Sequence, residues 1–290
     1  MVGDWGFGIA GALPHEVVRA IAPAVERAGF RTLWVNDTPV GDALASLAVA
    51  AEVTNSLRLA SGVIPLDRLG AQAILDRLRD LNLPVDRLLL GVGVGRSEAP
   101  LRLARKEIMT LKKTTESLVN LGALGPRMSA LAGEVADGVL LNWLTPDYAA
   151  TTAEIVRSAA ADTNRAAPRI DGYVRVALGQ LAYSKLRTEA ERYASYPSYA
   201  AHFARMGVQA IQTCVYGETP GEVRAGLAPY SRVLDETVVR AITPEETIES
   251  YLSLIDATAP NRQEDSRNGT KPPGAAPPTS RSLGNNKVMV

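Results

Sequence analysis

Short, almost wholly apolar runs recur along the first 260 positions, each followed by a longer stretch of helical periodicity, and this alternation constrains the fold most. Eight runs are predicted as strands: Trp5–Ala10, Thr32–Asn36, Leu57–Ile64, Arg87–Val94, Ser117–Leu124, Gly138–Trp143, Gly172–Leu178 and Thr237–Ile242. Predicted helices run over Pro14–Ala28, Asp42–Val53, Leu69–Asn82, Ala99–Thr114, Arg127–Ala136, Pro146–Ala161, Thr188–Met206 and Pro244–Ala257, the last capped by Thr243. Runs such as RLLLGVGV and DGVLLNW lack polar alternation, as expected of parallel strands covered on both faces. Eight such units predict a single-domain α/β fold, a closed (β/α)8 TIM barrel over residues 1–260, with a doubly wound open sheet as the alternative.

Beyond that point, Asn261–Val290 is rich in Pro, Gly, Ser and Asn and has no apolar face, which predicts a disordered tail. Its Asn268-Gly-Thr270 sequon is read as chance. Lys+Arg and Asp+Glu are both 31, so the chain has no charge excess with which to gather nucleic acid or anionic lipid. A single cysteine, Cys214, permits no internal disulfide and no thiolate zinc site. The N-terminal MVGDWGFGIAG lacks the features of a signal peptide, and no window is apolar enough to span a membrane, so a cytoplasmic protein is expected.

In a barrel of this kind chemistry collects at the C-terminal ends of the strands. Gly91-Val-Gly-Val-Gly-Arg96 resembles a dinucleotide fingerprint but has Arg96 where the third glycine should fall; it suits either tight packing or a surface for a flat ring. In LGALGPRM a strand leads through Leu124 and Gly125 to Pro126, at a helix start, and Arg127 on its first turn. These residues could cradle a phosphate or form an ordinary turn. Asp37 and Thr38 could orient a ligand or cap a turn, and Asn142-Trp143 could face a ligand or roof the barrel.

The reactive groups of other chemistries are missing. His15 and His202 have no metal-ligand spacing and are expected on partly exposed helix positions, so no metal site is predicted. No lysine falls at a strand end, no GxSxG elbow exists, and no paired carboxylates occupy adjacent strand ends. Chemistry is therefore expected to belong to a bound cofactor.

The stretches TLWVNDTPVGDALASLAVAAEVTNSLRLASGVIPLDR, LPVDRLLLGVGVG and LGALGPRMSALAGEVADGVLLNWLTPDYA resemble the bacterial luciferase-like monooxygenase family, especially its actinobacterial branch with oxidoreductases of the deazaflavin F420. The resemblance implies a barrel that binds reduced FMN or coenzyme F420, undecided between them, at its C-terminal mouth. It implies a non-prolyl cis bond at or near Gly62-Val63 backing the ring, with Asp37 and Thr38 at the ring's edge as catalytic candidates. By the same matching Gly93 and Gly95 border the ring, Leu124, Gly125, Pro126 and Arg127 hold the phosphate, and Asn142 completes the wall. Thr38 and Arg96 stand where F420 members commonly carry His and an acidic residue, and Arg96–Leu118 lacks the long loop that lids several relatives.

The function so implied is hydride transfer or oxygen insertion on a small organic substrate. The alternative is a noncatalytic flavin-binding barrel or partner subunit; a phosphate-binding lyase or isomerase would need an acid-base pair that the strand ends lack. No nucleic-acid or membrane partner is expected, and a homodimer is a candidate assembly because such barrels often pair.

Overall fold

The computed structural model describes residues 3–260. Its strands are β1 (Asp4–Ala10), β2 (Thr32–Asn36), β3 (Arg58–Ser61), β4 (Ile64–Pro65), β5 (Leu88–Gly93), β6 (Leu118–Ala123), β7 (Gly138–Asn142), β8 (Arg169–Leu178), β9 (Val215–Gly217) and β10 (Glu236–Ile242). All pair in parallel in the order β10-β1-β2-β3-β5-β6-β7-β8, and β10 pairs β8 to close the ring. The chain is a single-domain (β/α)8 barrel in which every expected strand run is present. β4 continues β3 beyond a bulge, and β9 extends β8 at its end.

The helices are α1 (His15–Arg27), α2 (Ala43–Val53), α3 (Ala71–Asp80), α4 (Pro100–Thr114), α5 (Pro126–Val135), α6 (Pro146–Asp162), α7 (Gln180–Ala194), α8 (Pro197–Met206), α9 (Pro220–Leu227) and α10 (Ile248–Thr258). Two expectations need correction. The helix expected over Thr188–Met206 is two helices, because Pro197 cannot continue an α-helical hydrogen-bond ladder and opens α8 as its first residue. The last helix begins at Ile248, not Pro244; its cap is Thr247, whose side chain accepts from the Ser250 N–H at 3.3 Å. The β9–α9 unit was missed, being three and eight residues long and too short for a periodic signal. The tail Asn261–Val290, with its sequon, lies outside the described residues.

The core has two shells because alternate strand residues face opposite ways. Phe7, Ile9, Leu33, Val35, Leu90, Val92, Val139 and Val174 face the helices. Trp34, Ala60, Leu89, Leu140, Tyr173 and Val238 form an inner layer that fills the barrel.

At the N-terminal end of the interior Arg169 bridges two fully buried carboxylates, reaching Asp171 at 2.9 Å and Glu236 at 3.1 Å. Asn120 Nδ2 donates to Asp171 at 2.7 Å, and Trp34 Nε1 donates to Glu236 at 3.3 Å. Burial and the facing Glu236 charge push the Asp171 carboxyl up to about 8 against the opposing pull of Arg169. The folded state therefore holds a proton that the unfolded chain releases near pH 4. Stability from this pair is complete below that pH and is lost as pH rises towards 8. Asp171→Asn, which keeps an acceptor for Asn120, is expected to flatten the fall in melting temperature between pH 6 and pH 9. A wild-type melting temperature constant across that range, or an unchanged slope in the variant, excludes a proton held at Asp171.

Candidate functional site

The C-terminal ends of the strands gather nearly every residue singled out in the sequence. The Gly62-Val63 peptide bond is cis and lies between β3 and β4, where the resemblance put it. Inside the barrel, Tyr173 from β8 packs edge-on against Trp34, ring centroids 5.8 Å apart, and its hydroxyl fills the space beside the Gly62 Cα. Burial raises the Tyr173 hydroxyl far above its ordinary range, so it stays protonated as a neutral donor.

The glycine string is explained by close packing. A side chain on Gly91 would overlap the Ser61 carbonyl oxygen, and the Ser61 hydroxyl exchanges 3.0 Å hydrogen bonds with the Gly91 N–H and C=O. At Gly93 a Cβ would come within 2.7 Å of Val63 Cγ2, so the glycine gives the bulge its room. Gly95 takes a left-handed φ of 59°, and the Asp67 carboxylate occupies the place of its missing side chain while accepting from the Arg96 N–H at 2.7 Å.

At the end of β2, Asp37 pairs with Arg68 and accepts from the Ala43 N–H at 3.3 Å, while Arg68 also donates to the Thr38 carbonyl at 3.2 Å. The carboxylate thus ties the β2–α2 loop to the loop before α3. Thr38 Oγ1 beside it is buried without a partner, as is Asn36 Oδ1.

The LGPR segment starts α5 with Gly125 extended at the N-cap and Pro126 at the first position; Gly125 offers no side chain to cap the free N–H groups. A cleft of about 660 Å³ opens there, lined by Gly125, Pro126, Arg127 and Met128 with Arg102 from α4 and Arg205 from α8. Arg205 donates to the Leu124 carbonyl at 3.3 Å. Three exposed guanidinium groups and a helix N-terminus could hold an anion here.

Strands β8 and β10 hold residues that sequence reasoning missed. Arg175 on β8 is 2% exposed; its Nε donates to Glu189 of α7 at 2.6 Å and its Nη1 to Asn142 Oδ1 at 2.7 Å. Its guanidinium lies 3.6 Å from the centre of the Trp143 ring. Arg240 on β10 is the lateral neighbour of Arg175 and has its Nε buried without a partner. A charged residue within each of the otherwise apolar runs GYVRVAL and TVVRAI was the available signal. Trp143 is roofed by Phe203 and Tyr193 and does not line open space.

His202 corrects an expectation. His15 is exposed, but His202 is fully buried, with Nε2 2.9 Å from the Trp143 carbonyl. Burial outweighs its hydrogen bonds and lowers its pKa, so it fastens α8 to the β7 end as a neutral imidazole. Burial pushes the Cys214 thiol up to about 12, which makes it a poor nucleophile. Among the described residues no group of three or more His, Cys, Asp or Glu could hold a metal ion, and no helix is long and apolar enough to cross a membrane.

The site thus sits at the mouth of a closed (β/α)8 barrel, with a cis bond after the third strand of the ring and an arginine-lined cleft after the fifth. The family model described as luciferase-like monooxygenase matches residues 8–107, the first four β/α units of the ring. Over those residues the chain is thus similar to that family, as its motifs led us to expect. Among solved structures it is similar to the coenzyme F420-dependent tetrahydromethanopterin reductase from Methanopyrus kandleri, with 15% identity, a TM-score of 0.68, and coverage of 90% of this chain and 98% of the other. An F420-dependent secondary alcohol dehydrogenase, in complex with an F420-acetone adduct, gives 13% identity and a TM-score of 0.70 over 89% and 99%. The oxygenating constituent of 3,6-diketocamphane monooxygenase from Pseudomonas putida, in complex with FMN, gives 11% identity and a TM-score of 0.67 over 88% and 97%. At these identities the likeness to solved structures is one of fold.

Proposed function

We propose that the protein is an oxidoreductase whose barrel mouth holds a reduced flavin or deazaflavin beside a small organic substrate. One observation carries this reading: buried polar atoms without partners, Asn36 Oδ1, Thr38 Oγ1, Tyr173 Oη and Arg240 Nε, belong to strands, or to the loop after β2, of the same barrel whose β6–α5 turn forms an anion cradle. Those groups suit a flat heterocycle with a phosphate tail. Leu124, Gly125, Pro126 and Arg127, with Arg102 and Arg205, would hold the phosphate. Gly62, Val63, Gly93 and Gly95 would back the ring, and Asn142 would close the wall through Arg175.

When bound, a deazaflavin supplies hydride transfer and a reduced flavin supplies oxygen activation. Asp37, committed to Arg68, keeps the β2–α2 loop in place, and Thr38 offers the hydroxyl that holds or passes a proton at the substrate. The alternative, a noncatalytic flavin-binding barrel, draws on that same engaged carboxylate. Fluorescence titrations with FMN and with F420, each oxidised and reduced, test the proposal. Tight binding of one, followed by oxidation of its reduced form on adding oxygen or an organic acceptor, is expected. Binding of neither overturns the oxidoreductase reading, and binding without any turnover of the reductant selects the alternative.

A further inference from the structure

Arg175 and Arg240 stand side by side across the β8–β10 ladder, on the face of each strand that points into the barrel. Arg175 is buried and Arg240 half-buried, and such guanidinium groups need a counter-charge, because an uncompensated buried cation is strongly destabilising. One carboxylate, Glu189, meets Arg175 at 2.6 Å, and Arg192 approaches the same carboxylate at 3.9 Å. Burial pushes the Glu189 carboxyl up, yet Arg175, Arg240 and Arg192 together hold it below its ordinary range. The cations thus outnumber the anion, and Arg240 Nε remains unpaired. Glu189 also lines a cleft of about 350 Å³ with Ser184, Lys185, Thr188 and Arg192, which brings one further cation, Lys185, to its rim.

We propose that Arg175 and Arg240 form a receptor for a carboxylate, so that the substrate taken at this mouth is an organic acid whose anion replaces the Glu189 side chain on the arginine pair. Glu189 is the internal stand-in: it displays the ligand chemistry that Arg175 accepts and belongs to a helix that packs over the strand ends. Trp143 and Tyr193, stacked against Arg175 at 3.6 and 4.9 Å, hold the guanidinium plane in place for a carboxylate. The inference deepens the oxidoreductase reading and rests on it for the word substrate; the anion receptor itself stands on these contacts alone.

Calorimetric titration of the full chain with sodium benzoate, against benzamide as the uncharged isostere, tests it without any turnover. Benzoate is expected to bind and benzamide to bind at least about tenfold more weakly, the difference made by one charge-assisted hydrogen-bonded pair. Glu189→Gln removes the competing carboxylate and is expected to tighten benzoate about tenfold, whereas Arg240→Gln weakens it by a similar factor. Melting temperatures near the wild-type value show that both variants fold. Equal affinity for the two probes, no benzoate binding by wild type or Glu189→Gln, or affinities that ignore both substitutions overturn the proposal. FMN and F420 titrations of the same preparations separate the two failures. Benzoate binding without cofactor binding keeps the receptor and removes the oxidoreductase, and the reverse result removes the receptor alone.

Discussion

Replacing Arg127 and Arg205 together with alanine is expected to weaken FMN binding about a hundredfold, from the loss of two charge-assisted contacts to phosphate, while riboflavin, which lacks the phosphate, binds as before. Both side chains line the cleft at the start of α5 and both are exposed, so neither supports the core. Arg205 does donate to the Leu124 carbonyl and approaches His202 Nδ1 at 3.4 Å, so a small loosening of α8 accompanies its removal. The riboflavin control separates that effect from loss of the anion site. If the chain takes F420 instead, the same comparison runs between F420 and its phosphate-free deazaflavin. Equal weakening of both forms of a cofactor assigns the arginines to general stability, and no weakening of either moves the phosphate elsewhere.

The largest loss of stability is expected at Gly91→Ala. The added methyl would overlap the backbone oxygen of Ser61, which no rotamer change can move, and it would break the exchange between the Ser61 hydroxyl and the Gly91 backbone. Overpacking against mobile side chains costs about 1–3 kcal/mol, so a clash of backbone against backbone at a strand pair should exceed about 3 kcal/mol. Gly93→Ala meets only Val63 Cγ2, at 2.7 Å, and should lose about 1 kcal/mol. Denaturant melts of the two variants provide the comparison. A Gly91→Ala protein as stable as Gly93→Ala means that the β3–β5 spacing is not set by this contact.

The same two glycines show how far the motif was legible. GVGVG reads from the sequence as packing or as a ring surface, and the choice depends on what faces each Cα: the β3 backbone at Gly91, Val63 at Gly93 and Asp67 at Gly95. All three neighbours lie about 30 residues away in sequence, beyond any local pattern. Asp37 and Thr38 were likewise legible as a polar strand end. That Arg68 claims the carboxylate and leaves the hydroxyl unpaired is a tertiary fact. At the start of α5, Pro126 and Arg127 are legible as a helix start that could hold an anion, but Arg102 and Arg205 join them only through the neighbouring helices.

By itself, the sequence determined the repeating β/α order, the strand ends where polar residues concentrate, and the absence of any local metal, thiol or paired-carboxylate motif there. These follow from hydrophobic period and local turn chemistry, which act within one element. Tertiary structure decided which helices roof the mouth, that His202 is buried, and that Arg175, Arg240 and Glu189 meet. Strand register pairs Arg175 with Arg240 across 65 residues, and a side chain one helical segment further on supplies Glu189. Barrel closure sets that register. The ring must turn alternate side chains inward on every strand at once, so the company a buried charge keeps is decided by the whole sheet and by no single strand.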